Sequence, residues 1–281
     1  MRSLMSLRRL PRLAIATAVV VVAGAVVAVA LAANPSTDVT FTPQKADQVT
    51  NVDVLRQQIA NYYGDPGKTG VFSPDSNYAR EAESAAKDGT NWLGAQTNVA
   101  NKAIVLDVDD TTLATWNYEI FSNWAFNPAT NGQFVTDQRF PAVPGMVAMV
   151  NEAKAEGYAV FFLTGRGAAQ EAATLGNLTS DGIGVDAGYP VPTGLPNGED
   201  GLFTKPPVGS YPAYLNTPEF CGPSIAAGVS CPTIRYKSGV RAHIESQGYE
   251  IVGNFGDQFS DLIGGFADKT FKMPNPNYYL P

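Results

Sequence analysis

The run Ala103-Ile104-Val105-Leu106-Asp107-Val108-Asp109-Asp110-Thr111-Thr112-Leu113 limits the fold more than any other, because it is a buried-type strand that delivers acids where it stops. Beyond residue 100, short β-rich runs alternate with helical segments. Strands are predicted at Ala103–Asp107, Ala159–Thr164, Gly201–Thr204, Glu250–Asn254 and Thr270–Lys272. Pro144 to Glu156 reads as a helix with Val147, Val150 and Ala153 on its inner face and Gly157 as its stop. Further helices are predicted over Gly167–Leu178 and over Ser238–Gln247, the latter with Ser238 as N-cap and Gly248 as terminator. Such alternation predicts a three-layer α/β/α arrangement around a parallel sheet.

Ahead of the sheet, apolar residues recur at Val52, Leu55, Ile59 and Tyr62, with Thr50 and Asp53 placed as a capping box and Gly64 as the end. A second helix is predicted from Asp75 to about Asp88. Residues 34–100 thus read as a small helical lead-in to one domain spanning 34–281. Residues 185–232 are Pro/Gly-rich and aperiodic, a long insertion with one strand inside it.

Four arginines and no acid precede an uncharged Ala/Val-rich run from Leu13 to Ala33, so residues 1–33 read as an export signal. The run also reaches the roughly 20 residues that span a bilayer, which leaves cleavage after Ala30-Leu31-Ala32 and retention as an anchor both open. Either way the remainder is expected outside the cytoplasm, secreted or held on the outer side of the membrane. Without those four positive charges the formal net charge falls from −7 to −11. That balance disfavours a nucleic-acid polymer or an anionic membrane as partner, since either would call for a basic patch. Oligomeric state stays open.

Export also bears on the two cysteines, Cys221 and Cys231, which an oxidising compartment favours bridging. Two cysteines without nearby histidines fall short of a zinc site. The single histidine, His243, is expected as an exposed helical residue, which leaves little room for a Ser-His-Asp triad.

In an open α/β sheet, ligands bind outside the carboxyl ends of the strands. Asp107 stands at such an end, where a carboxylate can attack phosphorus once a cation offsets the repulsion between two anions. Asp109 can protonate a leaving oxygen and then activate water. Thr164, in Phe161-Phe162-Leu163-Thr164-Gly165-Arg166, brings a hydroxyl suited to phosphate oxygens. Lys237, in Arg235-Tyr236-Lys237-Ser238, sets a cation at a predicted helix entrance. Asp257 and Asp261 supply two carboxylates four apart, able to complete an oxygen-ligand site for Mg²⁺.

Taken in order, DxDxT, hydrophobic-Thr-Gly-Arg, Lys and GDxxxD, the chain resembles the haloacid-dehalogenase (HAD) superfamily, and within it the acid phosphatase branch of class B acid phosphatases and vegetative-storage-like proteins. The resemblance covers roughly Ala100 to Tyr279. It implies a Rossmann-like, HAD-like sheet and a Mg²⁺-dependent hydrolase of small phosphomonoesters. Asp107 would be nucleophile and metal ligand, and Asp109 general acid/base, lending its backbone carbonyl to the metal. Thr164 would hold phosphoryl oxygens and Lys237 would stabilise the phospho-aspartate. Asp257 would bind Mg²⁺, with Asp261 orienting the metal's shell or the lysine; Lys205 is a weaker fit to the lysine role. A non-catalytic storage or binding protein on the same fold, and a phosphotransferase, are the alternatives.

Other readings of these residues fare worse. A calcium loop over Asp107, Asp109 and Thr111 fails on Thr112 and Tyr118, where glycine and glutamate are required. Asp257 and Asp261 could instead pair with Lys269 or Lys272. Gly182-Ile183-Gly184 mimics a dinucleotide fingerprint but lacks the flanking strand and helix. The aromatic cluster Trp116, Tyr118, Phe121 and Trp124 reads as core more than as a specificity wall.

Overall fold

The computed structural model describes Thr42 and residues 44–280. The predicted signal or anchor, residues 1–33, lies outside the described residues; among those described, no helix is long and apolar enough to cross a membrane.

The chain leads in with α1 (Val52–Tyr62) and α2 (Asn77–Gly94). Asn51 caps α1, not the Thr50–Asp53 box read from sequence, because its side chain reaches the Asp53 and Val54 N–H groups directly. Ser76 caps α2, which runs past the predicted Asp88 because its buried stripe of Ala82, Ala86, Gly89 and Leu93 continues. There follow β1 (Lys102–Leu106), α3 (Trp116–Ser122), α4 (Pro128–Thr136), α5 (Met146–Ala155), β2 (Ala159–Gly167), α6 (Glu171–Thr179), β3 (Leu202–Lys205), α7 (Gly222–Ala226), α8 (Thr233–Ser246), β4 (Glu250–Gly256), α9 (Phe259–Leu262) and β5 (Lys269–Lys272).

All five predicted strands form, parallel and in the order β3-β2-β1-β4-β5. Alternation along each strand feeds two cores. Ile104, Leu106, Val160 and Phe162 pack with α2 and α5 through Ala86, Met149 and Val150. Ala103, Val105 and Phe161 face the other way, toward Tyr236, Val240 and Ile244 of α8. Burial on both faces is why these strands read as unbroken apolar runs. From β1 the chain moves to β2 on one side, and from β4 to β5 on the other. The crevice at the carboxyl ends of β1 and β4 is therefore the topological switch point.

The lead-in is fastened to the sheet. Trp92 Nε1 donates to the Val252 carbonyl at 3.1 Å, and the Tyr158 hydroxyl donates to the Leu93 carbonyl at 2.7 Å. Gly89 lies against the Phe255 ring so closely that an added Cβ would sit 2.7 Å from a ring carbon.

Within 185–232, β3 joins the sheet as an edge strand, and Cys221 and Cys231 are bridged, their Cα atoms 5.2 Å apart. The bridge packs with Leu215 and Tyr236. His243 is not the exposed residue expected, because this segment folds back over α8. Its ring stacks on Tyr214 with centroids 3.8 Å apart, and Nε2 lies 2.6 Å from Glu199 Oε2. Closing a loop of ten residues' separation corresponds to about 2.5 kcal/mol of unfolded-state entropy. Replacing both cysteines by alanine is expected to lower Tm by about 5–10 °C, read by thermal unfolding. An unchanged Tm would show the bridge to be energetically idle.

Candidate active site

Asp107 is fixed by its main chain before its side chain meets anything. Its N–H donates to the Phe255 carbonyl at 2.9 Å, continuing the β1–β4 ladder by one bond. The turn that follows is tight: Thr112 and Leu113 return N–H bonds to the Val108 carbonyl, and Thr112 Oγ1 donates to the Asp107 carbonyl at 3.2 Å. Asp110 completes it at φ +52°, a left-handed conformation that aspartate tolerates. Its carboxylate accepts the Thr115 N–H at 2.9 Å and hydroxyl at 2.6 Å, and burial pushes it up to about 6 despite those bonds.

Lys237 reaches this point from the second turn of α8. Because Pro232 starts that helix directly after the bridged Cys231, Ser238 is interior and not its N-cap, and Lys237 is not at an entrance. The Ser238 hydroxyl instead donates to the Gly264 carbonyl at 2.7 Å. Lys237 Nζ donates to Asp107 Oδ1 and, at 2.7 Å, to Asp261 Oδ1. Lys269 and Lys272 take no part in ion pairs with the acids: Lys269 lies over the Trp92 and Phe271 rings, and Lys272 Nζ donates to the Met273 carbonyl.

Asp107, Asp257 and Asp261 each present a carboxylate oxygen within 4.8 Å of the others, all three buried. One ammonium does not offset them. Burial pushes Asp107 up to about 7, Lys237 opposes, and Asp261 and Asp109 add to the rise. Burial, then Asp261 and Asp107, hold Asp257 well above the usual carboxylate range. Lys237 behaves oppositely: burial disfavours its charge, but Asp107 and Asp261 outweigh that and keep it protonated. An all-oxygen donor set with an excess of negative charge fits a hard divalent cation.

Asp109 is not in that cluster. Arg166 grips it, with Nη2 2.6 Å and Nε 3.2 Å from Oδ1, and Nε 3.1 Å from Oδ2. Arg166 Nη1 donates to Thr174 Oγ1 at 3.1 Å, which fixes the guanidinium from behind. Thr164 is fully buried within β2, which runs on to Gly167, and its hydroxyl accepts the Arg166 N–H at 3.1 Å. The wall of the site is formed by Gly165 and Arg166, one step further on.

These groups floor a cavity of about 390 Å³. Its rim splits the aromatic cluster: Trp116 and Tyr118 are core, whereas Trp124, with Phe126, lines the cavity. The sequence reading missed the far wall, supplied by Asn277, Tyr278 and Leu280 of the C-terminal tail. Asn275 Nδ2 donates to Asp257 Oδ2 at 2.6 Å, and Gln258 Nε2 donates to the same oxygen at 2.6 Å. The available signal was Met273-Pro274-Asn275-Pro276-Asn277, where two prolines hold the asparagines on an extended strap.

A parallel sheet with helices on both sides, carrying acids at its switch point, defines the class as HAD-like α/β. Within that class the chain belongs to the HAD superfamily, subfamily IIIB (Acid phosphatase), whose family model matches residues 28–191 and 229–281. It is 30% identical over 208 residues to a stem 28 kDa glycoprotein of Glycine max, covering 72% of this chain and 64% of that protein. It is 28% identical over 185 residues to acid phosphatase 1 of Solanum lycopersicum, covering 63% and 58%. The chain thus spans about three fifths of the length of these curated relatives. The class C acid phosphatase of Bacillus anthracis shares the fold, with a TM-score of 0.54 at 19% identity over 82% of this chain and 87% of that one.

Proposed function

We propose that this protein is an exported acid phosphatase that uses Mg²⁺ and hydrolyses small phosphomonoesters through an aspartyl-phosphate on Asp107. The observation that carries the reading is Lys237 Nζ bridging Asp107 and Asp261, with Asp257 in the same cluster, at the floor of an open cavity. Asp107, Asp257 and Asp261 would hold the cation, together with the Asp109 carbonyl. The cation would neutralise charge on the phosphoryl oxygens as an anion approaches an anion.

An Asp107 carboxylate oxygen attacks phosphorus, and the bond from phosphorus to the ester oxygen breaks. Asp109 gives its proton to the departing alcohol, then takes one from the water that cleaves the acyl phosphate and releases inorganic phosphate. Arg166 occupies both Asp109 oxygens, so the oxygen that carries the proton must turn from the guanidinium when it acts. Lys237 stays charged throughout and offsets the phospho-aspartate. Thr164 acts one step removed from the phosphoryl oxygens: its buried hydroxyl accepts the Arg166 N–H and so fixes the turn that brings Gly165 and Arg166 to the cavity wall.

A storage role on the same fold draws support from relatives named vegetative storage proteins, which match 54 residues of this chain at 46% identity. Chelation separates the two readings. EDTA is expected to stop release of p-nitrophenol from its phosphate, and Mg²⁺ to restore it. No release at any pH from about 4 to 8 in the presence of Mg²⁺ would leave storage or binding as the better account.

A further inference from the structure

Every acid lining the cavity is engaged by a partner except one. Asp107 and Asp261 share Lys237, Asp109 is held by Arg166, and Asp257 accepts from Asn275 and Gln258. Glu119 also lines the cavity and is only 8% exposed, yet among the described residues nothing donates to its carboxylate. It sits on α3, whose first turn is anchored by two aromatic side chains. Trp116 stacks on Tyr63 with centroids 4.2 Å apart, and the Tyr118 hydroxyl accepts the Asn127 N–H at 2.9 Å. The helix is therefore held where it is, with Glu119 on the wall of the cavity that Asp107 and Asp109 also line. Burial, followed by the charges of Asp110 and Asp109, pushes it up to about 8, the response of an acid with no counterion.

A carboxyl that lines a cavity with no protein donor is left to water there, and a ligand that carries a donor can take that water's place. The rest of the lining is apolar at Trp124, Phe126 and Leu280 and neutral polar elsewhere, as at Asn131, Gln170 and Thr233. We propose that Glu119 selects the substrate: it takes a hydrogen bond from a hydroxyl or ammonium on the leaving group, favouring organic phosphates whose apolar body carries such a donor. The assignment rests on the phosphatase reading for the word substrate, but the recognition itself requires only binding.

The probes are benzylphosphonates, whose P–C bond cannot be hydrolysed, substituted at the 3- or 4-position with methyl, hydroxymethyl or aminomethyl. Calorimetry with the full chain and Mg²⁺ near pH 8.5, where Glu119 is ionised, is expected to show one series in which hydroxymethyl and aminomethyl bind about tenfold tighter than methyl. Glu119→Leu should abolish that preference. Glu119→Gln, which keeps the size and an acceptor oxygen, should retain the hydroxymethyl preference and lose the aminomethyl one. It also decides the matter if the leucine variant fails to fold. Parental ranking in Glu119→Leu, an intact aminomethyl preference in Glu119→Gln, or no preference in either series of the parent overturns the inference. Failure of the parent to hydrolyse the matching benzyl phosphates, with the binding ranking intact, would sink the phosphatase reading and leave this one standing.

Discussion

Replacing Asp107 by asparagine is expected to lower hydrolysis of an aryl phosphate by about 10⁴-fold or more, while the protein still unfolds cooperatively within a few degrees of the parent. An amide keeps the shape of the side chain but is no nucleophile, so the first bond to phosphorus cannot form. The fold has little reason to suffer. Burial, Asp261 and Asp109 all penalise a charge at this position, and Lys237 keeps Asp261 as partner when Asp107 is neutralised. Turnover and thermal unfolding on the same preparation check both halves. Activity within about tenfold of the parent would place the nucleophile elsewhere.

Replacing Lys237 by methionine is expected to do the opposite to stability. Lys237 is 3% exposed, and its ammonium is shared by two buried carboxylates. Removing one partner of a buried ion pair typically costs about 3–5 kcal/mol, because the remaining charge keeps its desolvation penalty. The loss should be largest near pH 8 in chelator and smaller near pH 5. Carboxyls that hold their protons more tightly when folded than when unfolded favour the folded state at low pH, and that contribution disappears as the pH rises past their folded range. Denaturant titrations at the two pH values measure the difference. A variant within about 1 kcal/mol of the parent at pH 8 would mean that the ammonium is not what holds the two acids together. Hydrolysis should fall by at least about 10³-fold with it, since the phospho-aspartate loses its offsetting charge.

The parts legible in sequence were those where one local signal suffices. β1, β2 and β4 are covered on both faces, so their apolar runs announce them, and Gly157 and Gly248 stop their helices at φ +87° and +93° as expected. Asp107 stands out by its strand end, Asp257 and Asp261 by their spacing, and Lys237 by its place in the order of motifs, and the fold brings the four together. Where two signals compete, the reading slips. Ser238 resembles a cap, but Pro232 begins the helix sooner, which changes how Lys237 enters the site. Local pattern does not announce α3, where Trp116, Tyr118 and Phe121 obscure the periodicity, or α4, where Thr130, Asn131 and Gly132 are weak helix formers, although Asn127-Pro128 is an N-cap followed by proline at the first helical position. The grip of Arg166 on Asp109 spans 57 residues, and the hydrogen bond from Asn277 to the Tyr63 hydroxyl spans 214. Nothing in local pattern encodes such partners. Glu119 is a further instance: its importance lies in having no partner, which only packing can reveal.

The contact between Gly89 and Phe255 decides where the chain can be shortened. With no room for even a methyl group between α2 and the carboxyl end of β4, the two helices preceding the sheet act as its cladding, and cutting near Ala100 would bare Phe255 and strip the Tyr158 hydroxyl of its acceptor. A trimmed version intended for crystallisation or display should therefore begin upstream of Asn51.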